Sequence, residues 1–283
     1  MTVPTQSRQQ KGRFGDDGPR TYAWPPQPPH EFEVLSVTTA MKSLSKPFLV
    51  GWAAKMSAEC AVEDHEIIGM WLKKGDIQSA LKHIKEARYR DSGAKGDRGT
   101  IVHSAIEAYI AGKAVDKDAV QAQLNEKHVP QKLHKSTFKM IDGVMEFLFD
   151  HEPEIYWSEA TIYNREHGFA GTADVIGKFP IGRSRLPAVL DVKTSKDIYN
   201  ETAMQLTAYA RGEFVGLDDG TEAKLLPKGV RGPIKHGIVV RPTASGKYEK
   251  ANFDLTDEVF RKFLACLELS DADAVLRQAR RPS

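Results

Sequence analysis

The sequence predicts a mixed α/β fold, a sheet flanked by helices and preceded by an N-terminal helical region. Three observations carry that expectation. Apolar residues recur at three- and four-residue intervals from about residue 36 to 150, the helical period. From residue 155 the pattern changes to short extended runs rich in aromatic and β-branched residues. Those runs are joined by short connections, which suit antiparallel hairpins better than repeated βαβ crossovers.

Taken in order, residues 1–30 predict a disordered tail. They hold Arg8, Lys11, Arg13, three glycines and the run Trp24-Pro25-Pro26-Gln27-Pro28-Pro29, which favours polyproline II and has no core-facing period. Deleting them is expected to leave folding nearly unchanged; docking of Tyr22 and Trp24 on the domain is the alternative. Residues 31–283 then form a single domain, with 31–95 its helical part and 96–283 its core.

Ser36-Val37-Thr38-Thr39 offers hydroxyls suited to capping a first helix. Residues 47–62 set Phe48, Trp52, Ala53, Met56 and Cys60 on one apolar face. Further helices are expected at about 64–72, 76–88, 97–112 (capped at Thr100, closed by Gly112) and 131–150. Strands follow at 155–163, 168–179 and 187–193. A helix at 199–214, strands near 235–241 and 246–253, and an amphipathic helix at 256–279 with Phe260, Phe263, Leu264, Leu267 and Val275 complete the chain.

Composition narrows the function classes. The 283 residues carry 40 basic and 38 acidic side chains, a net charge of +2 that announces no nucleic-acid partner, although a basic groove can form locally. Two cysteines, Cys60 and Cys266, exclude a disulfide scaffold and any four-cysteine zinc or iron–sulfur site within the chain. No run approaches 18 apolar residues, and no apolar segment follows the first residues, so a reduced, cytoplasmic setting without a membrane is expected.

Three segments carry chemistry. In Leu190-Asp191-Val192-Lys193-Thr194 the alternation of a strand puts Asp191 and Lys193 on one face and Val192 on the other. By itself this reads as an ordinary surface ion pair. In Gly171-Thr172-Ala173-Asp174 the carboxylate follows three small residues, and a hairpin between 168–179 and 187–193 would bring Asp174 beside Asp191. Two carboxylates that close repel unless a cation lies between them, and hard oxygen ligands favour Mg²⁺ or Mn²⁺. In Gly99-Thr100-Ile101-Val102-His103, a helix sets His103 one turn from Glu107. A lone helix histidine is more often structural. The other histidines show no such setting.

The ordered series G-T-x-V-H, G-T-A-D, D-V-K-T and Q-L-x-x-Y (Gln205 to Tyr209) resembles the RecB-type branch of the PD-(D/E)XK nuclease superfamily. The likeness spans about residues 36–212 and is greatest to phage-encoded exonucleases similar to the CRISPR-associated RecB-like exonucleases. Each motif is weak alone; four in order are specific. The resemblance implies a restriction-endonuclease-like mixed sheet with 96–283 as catalytic core, and a divalent-metal-dependent deoxyribonuclease that hydrolyses phosphodiester bonds. It implies metal ligands at His103, Asp174 and Asp191 with the Val192 carbonyl as an extra one, and a catalytic lysine at Lys193. Gln205 and Tyr209 would line the site or touch DNA, with Glu159 in a supporting role and Glu107 as a further candidate.

One or two Mg²⁺ or Mn²⁺ ions are implied, Mn²⁺ serving at least as well because His103 supplies an imidazole. No iron–sulfur cluster and no ATP are expected, since the chain lacks both the four cysteines and G-x-x-x-x-G-K-[ST]. The implied partners are DNA with a free end and a phage recombinase or single-strand-binding protein, in phage recombination, replication or repair in the host cytoplasm. The competing readings are a catalytically silent DNA-binding or recombination-accessory protein, and an endonuclease using the same site.

Overall fold

The computed structural model describes residues 20–230 and 232–270. Within them the chain is mixed α/β, built on one nine-stranded mixed sheet with helices on both faces. The elements run β1 (Thr21–Trp24), β2 (Phe32–Ser36), α1 (Val37–Ala40), α2 (Phe48–Glu63), α3 (His65–Lys73), α4 (Ile77–Ile110), α5 (Lys117–Glu126) and α6 (Gln131–His151). Then come β3 (Glu154–Asn164), β4 (Phe169–Ile181), β5 (Ser184–Val192), α7 (Thr202–Ala210), β6 (Phe214–Gly216), β7 (Glu222–Ala223), β8 (His236–Pro242), β9 (Tyr248–Asp254) and α8 (Asp257–Ser270).

The strand order is β7-β6-β3-β4-β5-β8-β9, with β3, β4 and β5 an antiparallel meander and β5 parallel to β8. The central strands are buried on both faces, their side chains divided between two cores. Val175, Phe179, Leu190 and Val192 pack against α4, α5 and α6, among Ile101, Leu124, Val144 and Phe147. Ile162, Ala173, Ile176 and Val189 pack against α1, α7 and α8, among Val37, Leu206 and Phe263. No helix among the described residues is long and apolar enough to cross a membrane.

Four expectations need correction. Residues 20–30 are not a disordered tail: β1 pairs antiparallel with β2, and β2 pairs parallel with β4 at Leu35–Phe169 and Ser36–Ala170. Tyr22 and Trp24 are buried, Trp24 against Tyr163 and Phe214 at 5.1 and 5.2 Å between ring centroids. Four strand residues with alternate aromatic rings are enough to close that corner of the sheet. Residues 1–19, with Arg8, Lys11 and Arg13, lie outside the described residues, as does Val275.

The helices expected at 76–88 and 97–112 are one helix, α4, so the division at 95/96 falls inside it. Thr100 is therefore no cap; its hydroxyl donates to the Gly96 carbonyl at 3.2 Å. Gly112 does follow the helix end in the left-handed region, at φ 77°. The apolar face of α2 is only partly covered: Cys60 is buried, Trp52, Ala53 and Met56 are half-buried, and Phe48 is 52% exposed. His83 also has a setting after all: its Nε2 donates to Asp64 Oδ2 at 2.6 Å, which also accepts the Cys60 thiol at 3.5 Å and ties α2 to α4. Three short strands (β1, β2, β6), the two-residue β7 and helix α5 escape the periodicity because each offers too few apolar residues to register a period.

Candidate metal centre

Asp174 and Asp191 meet because of the β4–β5 register. Val175 lies opposite Leu190, so the next pair outward is Asp174 and Asp191. Here β5 peels away from β4, and Asp174 Oδ2 accepts the Val192 N–H at 2.7 Å, closing the ladder with a side chain. The loop after β5 leaves Lys193 N donating to Val240 O at 2.9 Å, which holds the lysine backbone to β8.

His103 arrives from α4. Its Nδ1 lies 3.3 Å from Asp174 Oδ1 and 3.6 Å from Glu159 Oε1. The helix can come this close partly because residue 99 is glycine, where a Cβ would stand 3.0 Å from Thr194 Oγ1. Glu159 owes its aim to the backbone. The β3–β4 ladder pairs Ser158 with Val175 and Ala160 with Ala173, and Glu159 between them has φ 51°, in the left-handed region that non-glycine residues rarely adopt. Its carboxylate is buried at 5% exposure, so this unusual backbone holds an ionisable group inside the protein. His103, Glu159 and Asp174 can each offer one ligand atom, all within 4.8 Å of one another.

Asp191 sits beside that trio, tied to a second network. Lys193 Nζ donates to Asp191 Oδ1 at 3.0 Å and to Gln205 Oε1 at 3.1 Å. Gln205 Nε2 donates to Asp191 Oδ1 at 3.2 Å and to Tyr209 Oη at 3.0 Å. Both Gln205 and Tyr209 lie on α7, four residues and one turn apart. Gly171 makes room for the ring: a Cβ there would be 2.6 Å from Tyr209 Cε1.

The charges are set by burial and by one another. Burial disfavours the charged form of His103, but Asp174 and Glu159 overcome it and hold the imidazole pKa up at about 10. Burial likewise raises Asp174, yet His103, Lys193 and the Val192 N–H carry it below the usual carboxylate range. For Asp191 burial wins over Lys193, with the Asp174 charge adding to it, and its pKa is raised to about 6. Lys193 is raised above its ordinary value because Asp191 and Asp174 outweigh its burial, so it is an ammonium at neutral pH. Burial keeps Tyr209 neutral.

These donors fit a hard divalent cation. Two or three carboxylates and an imidazole converge, the donor set that takes Mg²⁺ or Mn²⁺. Asp191 Oδ2 is cut off from solvent and accepts no hydrogen bond of good geometry, although the Lys193 ammonium is 2.8 Å away. An orphaned buried carboxylate oxygen is costly unless a further partner completes it.

Every strongly expected site residue therefore gathers here, with three changes. Glu159 stands with His103 and Asp174 in the cluster that could hold an ion, closer in than a supporting role implies. Val192 contributes its N–H to Asp174; its side chain faces the α4–α6 core. Glu107, one turn beyond His103, does not line the cavity around the site. That cavity, of about 290 Å³, also has walls that sequence reasoning missed: Arg20, Tyr22 and Thr172, the Tyr22 hydroxyl being 3.3 Å from Thr172 Oγ1. The buried free cysteines Cys60 and Cys266 take no part. Comparison with family models and with curated protein sequences returns no match.

Proposed function

We propose that the chain is a divalent-metal-dependent DNA exonuclease of the PD-(D/E)XK type, with a restriction-endonuclease-like core. The observation that carries the reading is the placement of Asp174 and Asp191 just beyond the last β4–β5 pair, Val175–Leu190, with Lys193 two residues on and His103 and Glu159 beside Asp174. A structural ion pair would need Lys193 and Asp191 only; it would not need a third and fourth ionisable group or a strained Glu159.

His103, Glu159, Asp174 and Asp191 would hold the ion. When bound, it would neutralise the carboxylates, polarise a phosphate oxygen and lower the pKa of a water molecule. Without metal, Asp191 and Asp174 hold Lys193 as an ammonium, and from that position it would serve as a charge and a hydrogen-bond donor to the phosphoryl oxygens as negative charge grows. Gln205 fixes the direction of the ammonium through its carbonyl oxygen and holds Asp191 with its amide. Tyr209 orients Gln205. In the hydrolysis a new P–O bond forms from a water oxygen, one bridging P–O bond breaks, and the proton that the water gives up balances the one gained by the leaving oxygen.

End-labelled linear DNA and covalently closed circular DNA of the same sequence test the exonuclease assignment. With Mg²⁺ or Mn²⁺ the linear form is expected to be degraded and the circle left intact. Cleavage of the circle would make the protein an endonuclease, and binding without cleavage of either would make it a silent accessory protein.

Metal binding also carries a proton signature. A ligating imidazole must be neutral, whereas without metal His103 is protonated up to about pH 10. At pH 8 Asp191, at about 6, is already ionised and releases nothing. Titration calorimetry of Mn²⁺ at pH 8, in buffers of different ionisation enthalpy, is expected to report release of about one proton, with affinity rising as pH rises toward 10. His103→Ala should bind more weakly and release none. Wild-type affinity in that variant would remove His103 from the ligand set.

A further inference from the structure

We infer that the cleft between the start of α2, the middle of α4 and the β5–α7 loop receives an unpaired stretch of DNA, with Arg98 on a phosphate and Phe48 and Tyr199 against bases. The inference rests on the nuclease reading for what lies next door and extends it to the form of the substrate. The cleft, of about 850 Å³, shares His103 and Lys193 with the site cavity, so the two spaces meet at the metal centre.

Arg98 is the first observation. It is 9% exposed, yet no carboxylate among the described residues lies within ion-pair distance of it. Its one hydrogen bond runs from Nη2 to the Thr194 carbonyl at a long 3.5 Å, and its Nε is buried without a partner. The nearby Asp91 pairs with Lys95 at 2.7 Å instead. Burial pulls the guanidinium pKa down, the mark of a charge held away from water. Asp91 favours the charged form from a distance, but a desolvated guanidinium with no carboxylate in contact is expensive, and its planar fork matches phosphate oxygens.

The aromatic wall is the second. Phe48 and Tyr199, from α2 and the β5–α7 loop, stack on each other at 5.9 Å and 11°, and remain 52% and 40% exposed. Trp52 continues the wall one turn along α2, and Lys196 beside Tyr199 is an exposed cation outside every ion pair among the described residues. Exposed rings interleaved with cations are the surface that single strands use: each base offers a face, and the backbone follows the positive charge. Paired bases keep their faces within the duplex and offer none to Phe48 or Tyr199. The same arrangement accounts for the exposure of Phe48 at the start of an otherwise partly covered face.

Binding in EDTA separates this from the chemistry, because no hydrolysis takes place. Fluorescence anisotropy of a labelled oligothymidylate and of a blunt duplex of equal length, on the full chain, should favour the single strand. Phe48→Ala, an exposed change, should weaken oligothymidylate binding by roughly 5- to 100-fold and leave the duplex nearly unaffected. Arg98→Gln should weaken it and lower the slope of log K against log salt by about 0.7. If Arg98→Gln fails to fold, Phe48→Ala and Tyr199→Ala still decide. Equal affinity for strand and duplex, or unchanged binding in the aromatic variants, overturns the proposal. So does competition by polyglutamate stronger than by unlabelled oligothymidylate, which would assign the cleft to an acidic protein. Normal cleavage with unselective binding would remove the cleft and keep the nuclease; selective binding without cleavage would do the reverse.

Discussion

Asp191→Ala and Lys193→Ala are expected to share one outcome and to split on another. Each should lose cleavage by at least ~10²-fold, the usual effect of deleting one preorganised charge from a transition state. Their effects on DNA binding in EDTA should have opposite signs. Without metal, Asp174 and Asp191 are negative charges facing a phosphate, and removing one relieves repulsion, so Asp191→Ala should bind as tightly as wild type or more so. Lys193→Ala deletes a cation that offsets Asp191 and, together with His103, Asp174, and should bind less well. Single-turnover cleavage with metal and equilibrium binding in EDTA, on both variants, give the four numbers. Weaker binding in both would identify Asp191–Lys193 as a structural pair.

The largest effect on stability is expected at Trp24. The indole is 2% exposed, packed on Tyr163 and Phe214, and so close to Gly216 that a Cβ there would stand 2.3 Å from its ring. Trp24→Ala should cost about 3–5 kcal/mol, which for a chain of this size lowers Tm by roughly 6–20 °C. Deleting residues 1–30 should cost more and reduce cleavage as well, since Arg20 and Tyr22 wall the site. Thermal denaturation followed by circular dichroism checks both. A Tm within a degree or two of wild type would mean that β1 contributes no packing.

The site was more legible in the sequence than the fold around it, for local reasons. Asp174, Asp191 and Lys193 sit on one short hairpin, where alternation and register follow from chain order and bring them together without knowledge of the rest. His103 needed only a helix and a resemblance. Glu159 was read as a supporting residue because nothing in a single sequence announces a left-handed glutamate in mid-strand. Arg98 was passed over since a lone arginine in a charged helix looks solvated until its burial is known.

Elsewhere local signals misled. Thr100 suggested the start of a second helix, whereas α4 passes straight through it and uses Gly99 for its approach to Thr194. The Pro-rich run after Trp24 suggested a tail, and four strand residues before it were too few to signal otherwise. The stripe on α2 had the right period for a core. Period reports a face and leaves open what covers it, and here Phe48 faces a cleft.

The central claim is that Asp174, Asp191, His103 and Glu159 hold a cation on which DNA hydrolysis depends. Single-turnover digestion of end-labelled linear DNA by chelator-stripped protein, before and after Mn²⁺ and beside Asp174→Asn, tests it most directly. The expected result is no cleavage before addition, full cleavage after it, and none at either stage in Asp174→Asn. Undiminished cleavage in excess EDTA by protein shown to be metal-free, or wild-type cleavage by Asp174→Asn, would contradict it.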